Sequence, residues 1–283
     1  MSEDGAAAWR REELFRTRAQ LSHSPSLPDA WPPFHGGCRR VPPAQVNRAL
    51  VIIPAFNEAG RVGGVVRQVC EACRADVLVV DDGSSDDTAR EAAVAGATVV
   101  SHPFNLGYGA ALQTGYKFAR ARDYPCLVQM DADGQHDPSH LPDLLAPIQA
   151  NTADLVIGSR FKQDSGYEMG SARSTGRIFF QRLLVFCGGP EILDPTSGMQ
   201  ALSRRVYEFY CSDFYPSDFP DIDVLLMLHR RGFRIEEVPV QMAPSPEGRK
   251  PMHTGFTTIY YPYKMLLSTF RSWRAPRGGR VTP

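Results

Sequence analysis

Hydrophobic periodicity begins abruptly in this chain at Ala49. Before that point, residues 6–20 have the spacing of a short basic helix, and residues 24–43 are thick with proline and glycine, which predicts an irregular arm over 1–48. From Ala49 onward, short continuous apolar runs alternate with segments of helical spacing. The runs predict strands at 49–54, 76–81, 97–101, 126–128 and 154–158. The intervening segments predict helices at 61–73, about 88–95, 110–122 and 141–148. Strands that are apolar throughout have both faces covered, so the pattern implies an α/β fold with a Rossmann-like, mostly parallel sheet between helices.

The alternation ends after Phe161. A glycine-rich loop at 166–176 carries Arg173, Ser174 and Arg177, and the apolar stretch 178–186 follows, suited either to the core or to a membrane surface. Asp221 and Asp223 open a predicted helix at 224–231. Helical spacing returns at 256–273, ahead of a basic tail. The expected division is therefore an arm at 1–48, a main domain at 49–255 with halves 49–161 and 162–255, and an amphipathic C-terminal helix and tail at 256–283.

Polar loops follow successive strands at Asn57-Glu58, Asp81-Asp82, Asn105 to Gly107 and Asp131-Ala132-Asp133. In a parallel sheet they converge on the edge where ligands bind. Asp131 and Asp133, with Gly134 permitting a tight turn, can offer oxygens to a hard divalent cation that retains waters and takes phosphate oxygens. Neither G-x-G-x-x-G after the first strand nor G-x-x-x-x-G-K-[ST] is present, which excludes dinucleotide and P-loop chemistry. Asp82 suits either a nucleoside's hydroxyls or base, or the cap of the following helix.

Charge and cysteine usage narrow the picture further. Thirty-one basic and thirty-one acidic residues balance, so no overall charge draws the chain to nucleic acid. The six cysteines fall mostly inside predicted elements with no secretory signal ahead of them, as in a protein of the cytoplasm with reduced thiols, peripheral to the inner face of the membrane at most. The apolar runs all fall short of the roughly 20 residues of a membrane span.

The runs VIIPAFNE at 51–58, VDDGSSDDT at 80–88, HPFNLGYGAALQTGYK at 102–117, QMDADGQHDP at 129–138, GSRF at 158–161 and DPTSGMQ at 194–200 resemble family 2 glycosyltransferases of GT-A fold. With the run at 220–242 they are similar to the branch of dolichyl- and polyprenyl-phosphate mannose or glucose synthases. The resemblance implies a nucleotide-sugar donor, Mg²⁺ or Mn²⁺ on its diphosphate, and inversion at the anomeric carbon. It places Pro54, Ala55, Glu58, Asn105 and Gly107 along the donor, Asp82 on base or ribose, Asp131 on the nucleotide and metal, and Asp133 as the main metal ligand. Gln135 matches a position that adds a metal contact, and His253 is a further candidate near the metal.

Arg160 suits a phosphate or a salt bridge that closes its loop. Asp221 or Asp223 is the candidate general base if the acceptor is a sugar hydroxyl, and both otherwise cap their helix. A lipid phosphate acceptor is already anionic and needs no base. Arg173, Ser174, Arg177, Ser197, Arg249 and Lys250 are the candidate acceptor or phosphate contacts. The chain departs from the branch's R-x-x-G-x-S pattern, with Ser245 and Lys250 at the outer positions. A polyprenyl-phosphate acceptor is expected, with transfer to a saccharide hydroxyl as the alternative. A nucleotidyltransferase and a non-catalytic sugar-nucleotide binder remain further alternatives. A membrane surface or a small membrane-protein partner is expected beside the lipid.

Overall fold

The computed structural model describes residues 49–162, 171–213, 215–216, 220–243 and 267–270. The expectations for the arm at 1–48, for most of the C-terminal segment, and for Arg249, Lys250 and His253 lie outside these residues.

Seven strands form one sheet: β1 (Ala49–Ala55), β2 (Ala75–Asp81), β3 (Thr98–Ser101), β4 (Cys126–Gln129), β5 (Leu155–Ser159), β6 (Gln200–Ser203) and β7 (Ile235–Pro239). Their order is β3-β2-β1-β4-β6-β5-β7. Strand β6 runs antiparallel to both β4 and β5, while the other pairings are parallel. The helices are α1 (Val62–Ala72), α2 (Thr88–Val94), α3 (Tyr108–Ala121), α4 (Leu141–Gln149), α5 (Ser171–Phe186), α6 (Arg204–Tyr210) and α7 (Ile222–Arg230). The architecture is the mixed α/β sheet with flanking helices that the apolar pattern implies. β6 escapes that pattern because Gln200-Ala-Leu-Ser203 is too short and too polar at its ends to stand out as an apolar run.

All seven residues of β1 are buried, as its unbroken apolar run requires. Ala49, Val51, Ile53 and Ala55 face a core that includes Val62, Val65, Val66 and Val69 of α1 and Leu141, Leu144, Leu145 and Ile148 of α4. The alternate residues Leu50 and Ile52 are equally buried, with Gly115 of α3 packed against Ile52.

Pro54 sits in this central strand, where a missing N–H normally breaks the ladder. Its nitrogen is on the same side of β1 as the Ile52 carbonyl, which accepts from Met130 at 3.1 Å. The β1–β4 register ends at Ile52 opposite Gln129, so Pro54 falls where β4 has already turned away. The two strands part beyond that pair.

Besides β6, α6 and β7, which the apolar pattern does not predict, the second half departs from expectation in α5. The stretch 166–176, read as a glycine-rich loop, is helical from Ser171, and α5 continues through Phe186. Gly176 is accommodated inside a sixteen-residue helix whose other members are mainly good helix formers or apolar residues.

Candidate active site

The loops after β1 and β2 are knitted together. Asn57, at φ 55°, donates its N–H to Ser84 Oγ and accepts the Ser85 N–H at 2.9 Å through its side chain. The Glu58 N–H binds Thr88 Oγ1, and the Glu58 carboxylate holds Arg61 at 2.9 Å. The Asp81 carboxylate accepts the Ser84 N–H. Pro54 and Ala55 end β1 beneath these loops, and Phe56 projects beside them, 45 % exposed.

Asp82 serves the neighbouring loop. Its buried carboxylate accepts the N–H groups of Leu106 and Gly107, each at 2.9 Å, and meets His102 Nδ1 at 2.7 Å. The other imidazole nitrogen meets Thr114 Oγ1 at 2.9 Å. Asp82 is therefore neither a cap of α2 nor directed outward in this structure. It fixes the 102–107 loop, which exposes Asn105 and delivers Tyr108 to the start of α3.

At the end of β4 the chain makes the expected tight turn, with Gly134 at φ 76°. Asp133 is buried, and its Oδ1 accepts the Gln135 N–H at 2.9 Å. Asp131 is the more accessible carboxylate, its side chain 32 % exposed. Its Oδ1 accepts the Tyr108 hydroxyl at 3.0 Å, and its Oδ2 lies 3.3 Å from His136 Nε2. Burial, with the nearby Asp131 carboxylate, pushes the Tyr108 phenol well above its usual value, so it remains a proton donor at neutral pH. Gln135 is held by its carbonyl, which accepts from Ala243 at 2.8 Å.

The loop before β6 closes over this turn. Arg160 Nε and Nη2 bind both oxygens of Asp194, at 2.6 and 2.7 Å, and Asp194 is completely buried. Of the two readings of Arg160, the structure displays the loop-closing salt bridge. Glu237 of β7 accepts the N–H groups of Leu193 and Asp194. The Ser197 hydroxyl turns inward to the Met199 N–H, and Gly198 rests against Asp131. A Cβ at Gly198 would lie 2.4 Å from Asp131 Oδ2.

The two aspartates at α7 separate. Asp223 is 1 % exposed, with Oδ1 accepting from its own helix start at Val224 and Oδ2 bonded to the Ser268 hydroxyl. Burial raises its carboxyl above the ordinary value. The structure does not bring Asp223 to the crevice as a general base; it buries it as a tether for the 267–270 turn. Asp221 is partly exposed and near enough to Tyr108 to raise that phenol further. Arg173, Ser174 and Arg177 lie on the first half of α5, whose side chains are outside the described residues.

Tyr108 and His136, the two side chains that meet Asp131, are contacts that the sequence did not single out. Their signal was adjacency: each stands inside a quoted motif, beside residues whose chemistry was more conspicuous.

Asp131 and Asp133 present the hard oxygens that Mg²⁺ and Mn²⁺ favour, within one turn at a strand end. Among the described residues no three acidic, histidine or cysteine side chains enclose an ion position. That donor set fits a cation that keeps sites for waters and phosphate oxygens, rather than one caged by protein.

Residues 50–211 match the family described as Glycosyl transferase family 2. The chain is 36 % identical over 209 residues to the polyprenol monophosphomannose synthase of Mycolicibacterium smegmatis, covering 69 % of this chain and 77 % of that protein. It is 32 % identical over 222 residues to the undecaprenyl-phosphate mannosyltransferase of Micrococcus luteus, covering 74 % and 88 %. Its fold matches glucosyl-3-phosphoglycerate synthase from Mycobacterium tuberculosis, solved in complex with Mn²⁺, uridine diphosphate and phosphoglyceric acid, with a TM-score of 0.61 at 21 % identity. That match covers 81 % of this chain and 80 % of the other.

Proposed function

Because this chain belongs to glycosyl transferase family 2, in its dolichyl- and polyprenyl-phosphate branch, and is a glycosyltransferase of GT-A fold, we propose that it moves a sugar from a nucleotide-sugar to a polyprenyl-phosphate-type lipid, with inversion. The observation that carries this reading is the Asp131-Ala132-Asp133 turn, set at the end of β4 where Tyr108, after β3, and Gly198, in the loop before β6, both reach Asp131. The names of the two relatives support the lipid phosphate as acceptor.

In this reading the donor nucleotide lies along Pro54, Ala55, Glu58, Asn105 and Gly107, with its diphosphate toward Asp131. Asp131 and Asp133 would hold Mg²⁺ or Mn²⁺, with Gln135 beside them. When bound, the ion supplies positive charge to the departing diphosphate. An acceptor phosphate oxygen attacks the anomeric carbon from the face opposite the diphosphate, the carbon–oxygen bond to the nucleotide breaks, and nucleoside diphosphate leaves. The attacking oxygen carries its own negative charge, so no side chain has to remove a proton, consistent with the burial of Asp223. What remains for the protein is positioning and charge neutralisation. Arg173, Arg177, Arg249 and Lys250 are the proposed cations for the acceptor phosphate.

The lipid also requires access from a membrane surface. Among the described residues no helix is long and apolar enough to cross a membrane. Helix α5 instead exposes Ile178, Phe179, Val185 and Phe186. We assign this helix to the lipid interface, with the protein peripheral there.

The chemical test is the anomeric configuration of the product, read by NMR, together with metal removal. Inverted product, with turnover abolished by chelation and restored by Mn²⁺ or Mg²⁺, is expected. Retained configuration, or full turnover in chelator, contradicts the reading.

A further inference from the structure

We infer that Tyr108 and His136 act as positioning residues for the metal-binding carboxylate of Asp131, within the space that Gly198 leaves open. The inference rests on the metal reading above and assigns a role to three residues outside the proposed ligand set. Tyr108 reaches Asp131 Oδ1 from the start of α3, and His136 reaches Oδ2 from the far side of the turn. Gly198 flanks the same carboxylate from the loop before β6, with room for no side chain. Three separate chain segments thus define one orientation.

The imidazole's own surroundings specify how it acts. His136 has 1 % of its side chain exposed, and its Nδ1 is buried with no hydrogen-bond partner among the described residues. A neutral imidazole carries one N–H, and a buried N–H without an acceptor is costlier than an under-used lone pair. In the neutral tautomer that leaves no buried N–H unpaired, Nε2 carries the proton toward Asp131 and Nδ1 keeps its lone pair. The backbone fixes the ring's origin, because His136 bridges to Met242 and Gln135 accepts from Ala243.

Tyr108 adds orientation of a different kind. A phenol donates a hydrogen bond without bringing a full positive charge, unlike the guanidinium that Arg160 gives to Asp194. Asp131 is thereby aimed while its charge stays useful to a cation. Outer partners of this sort govern how well a carboxylate is prepared for its ion.

The test is a Mn²⁺ titration of nucleoside diphosphate binding, with UDP and GDP as probes, on the full chain. Tyr108→Phe should raise the Mn²⁺ needed for half-maximal binding by about 10-fold, as loss of an outer-shell partner does elsewhere. Binding at saturating Mn²⁺ and the melting temperature should remain close to wild type. His136→Gln, which keeps an amide donor, should shift the Mn²⁺ requirement less than His136→Leu. Gly198→Ala probes the same carboxylate from the opposite side and should reproduce the Tyr108→Phe shift. An unchanged Mn²⁺ requirement in both Tyr108→Phe and Gly198→Ala overturns the inference, as does a loss of binding equal at every Mn²⁺ concentration. Wild-type binding indifferent to Mn²⁺ would instead sink the metal reading itself.

Discussion

Arg160 and Asp194 form a two-toothed ion pair in which the carboxylate is completely buried and the guanidinium is 13 % exposed. The pair joins the end of β5 to the loop that carries Gly198 against Asp131. Removing one partner leaves the other charge uncompensated, which costs about 3–5 kcal/mol for buried pairs. Asp194→Ala should therefore lower urea stability by that order, and Arg160→Lys should fall short of wild type because an ammonium cannot reproduce the fork. The double variant Arg160→Ala/Asp194→Ala should lose less than the sum of the single changes. Additive losses would show that the pair is not coupled.

Gly83 tests the latch between Asp82 and the 102–107 loop. It has φ 75°, and a Cβ there would lie 2.6 Å from the Phe104 carbonyl carbon. Gly96, at φ 103°, has open space around the same position. Gly96→Ala should cost about 1 kcal/mol from backbone conformation alone. Gly83→Ala should cost more and also weaken nucleotide binding, because its clash moves the loop leading to Tyr108. Equal costs for the two variants, measured by denaturant unfolding, would remove the latch from the account.

Asp223 gives a pH-dependent prediction. Burial favours its neutral carboxyl, so its folded pKa lies above the unfolded value. The stability it contributes is present in full below the unfolded pKa of about 3.9 and declines as pH rises through the folded value. Asp223→Asn removes that decline while preserving shape. Relative to wild type, its urea midpoint should improve as pH rises above the unfolded value of about 3.9 and level off once pH passes the folded value. Parallel profiles from about pH 4 upward would mean that the buried carboxyl is not held neutral. Sugar transfer by Asp223→Asn should also persist, since the residue faces Ser268 rather than an acceptor.

Helix α5 carries the membrane proposal. Phe186 is 86 % exposed and Phe179 49 %, large values for aromatic side chains on a helix. Insertion of a phenylalanine into an apolar phase contributes roughly 1.5–3 kcal/mol. Phe179→Ser/Phe186→Ser should reduce sedimentation with anionic vesicles by at least about 10-fold, since 1.4 kcal/mol is a factor of ten. Unchanged sedimentation would remove α5 from the lipid interface.

The parallel half of the fold was legible because its strands are buried on both faces and therefore read as unbroken apolar runs. Leu50 to Ile53 and Val77 to Val80 could hardly belong to anything else. β6 was hidden because four residues with polar ends carry no period. The convergence of Asn57, Asp82 and Asp131 followed from topology alone. What topology could not reveal was the direction of each side chain. Asp82 turns toward Leu106 and Gly107, Arg160 toward Asp194, and Asp223 toward Ser268, each choice settled by a contact distant in sequence. The Asp131 contacts with Tyr108 and Gly198 are non-local in the same way.

The most direct test of the central claim is transfer of labelled sugar from a panel of nucleotide-sugars into organic-extractable product, with Mn²⁺ and with polyprenyl phosphate present or absent. The account predicts that one donor yields labelled lipid only when the lipid phosphate is supplied, with equimolar nucleoside diphosphate, and that Asp131→Asn abolishes the signal. Sugar transfer that proceeds without the lipid phosphate onto a saccharide acceptor would contradict it.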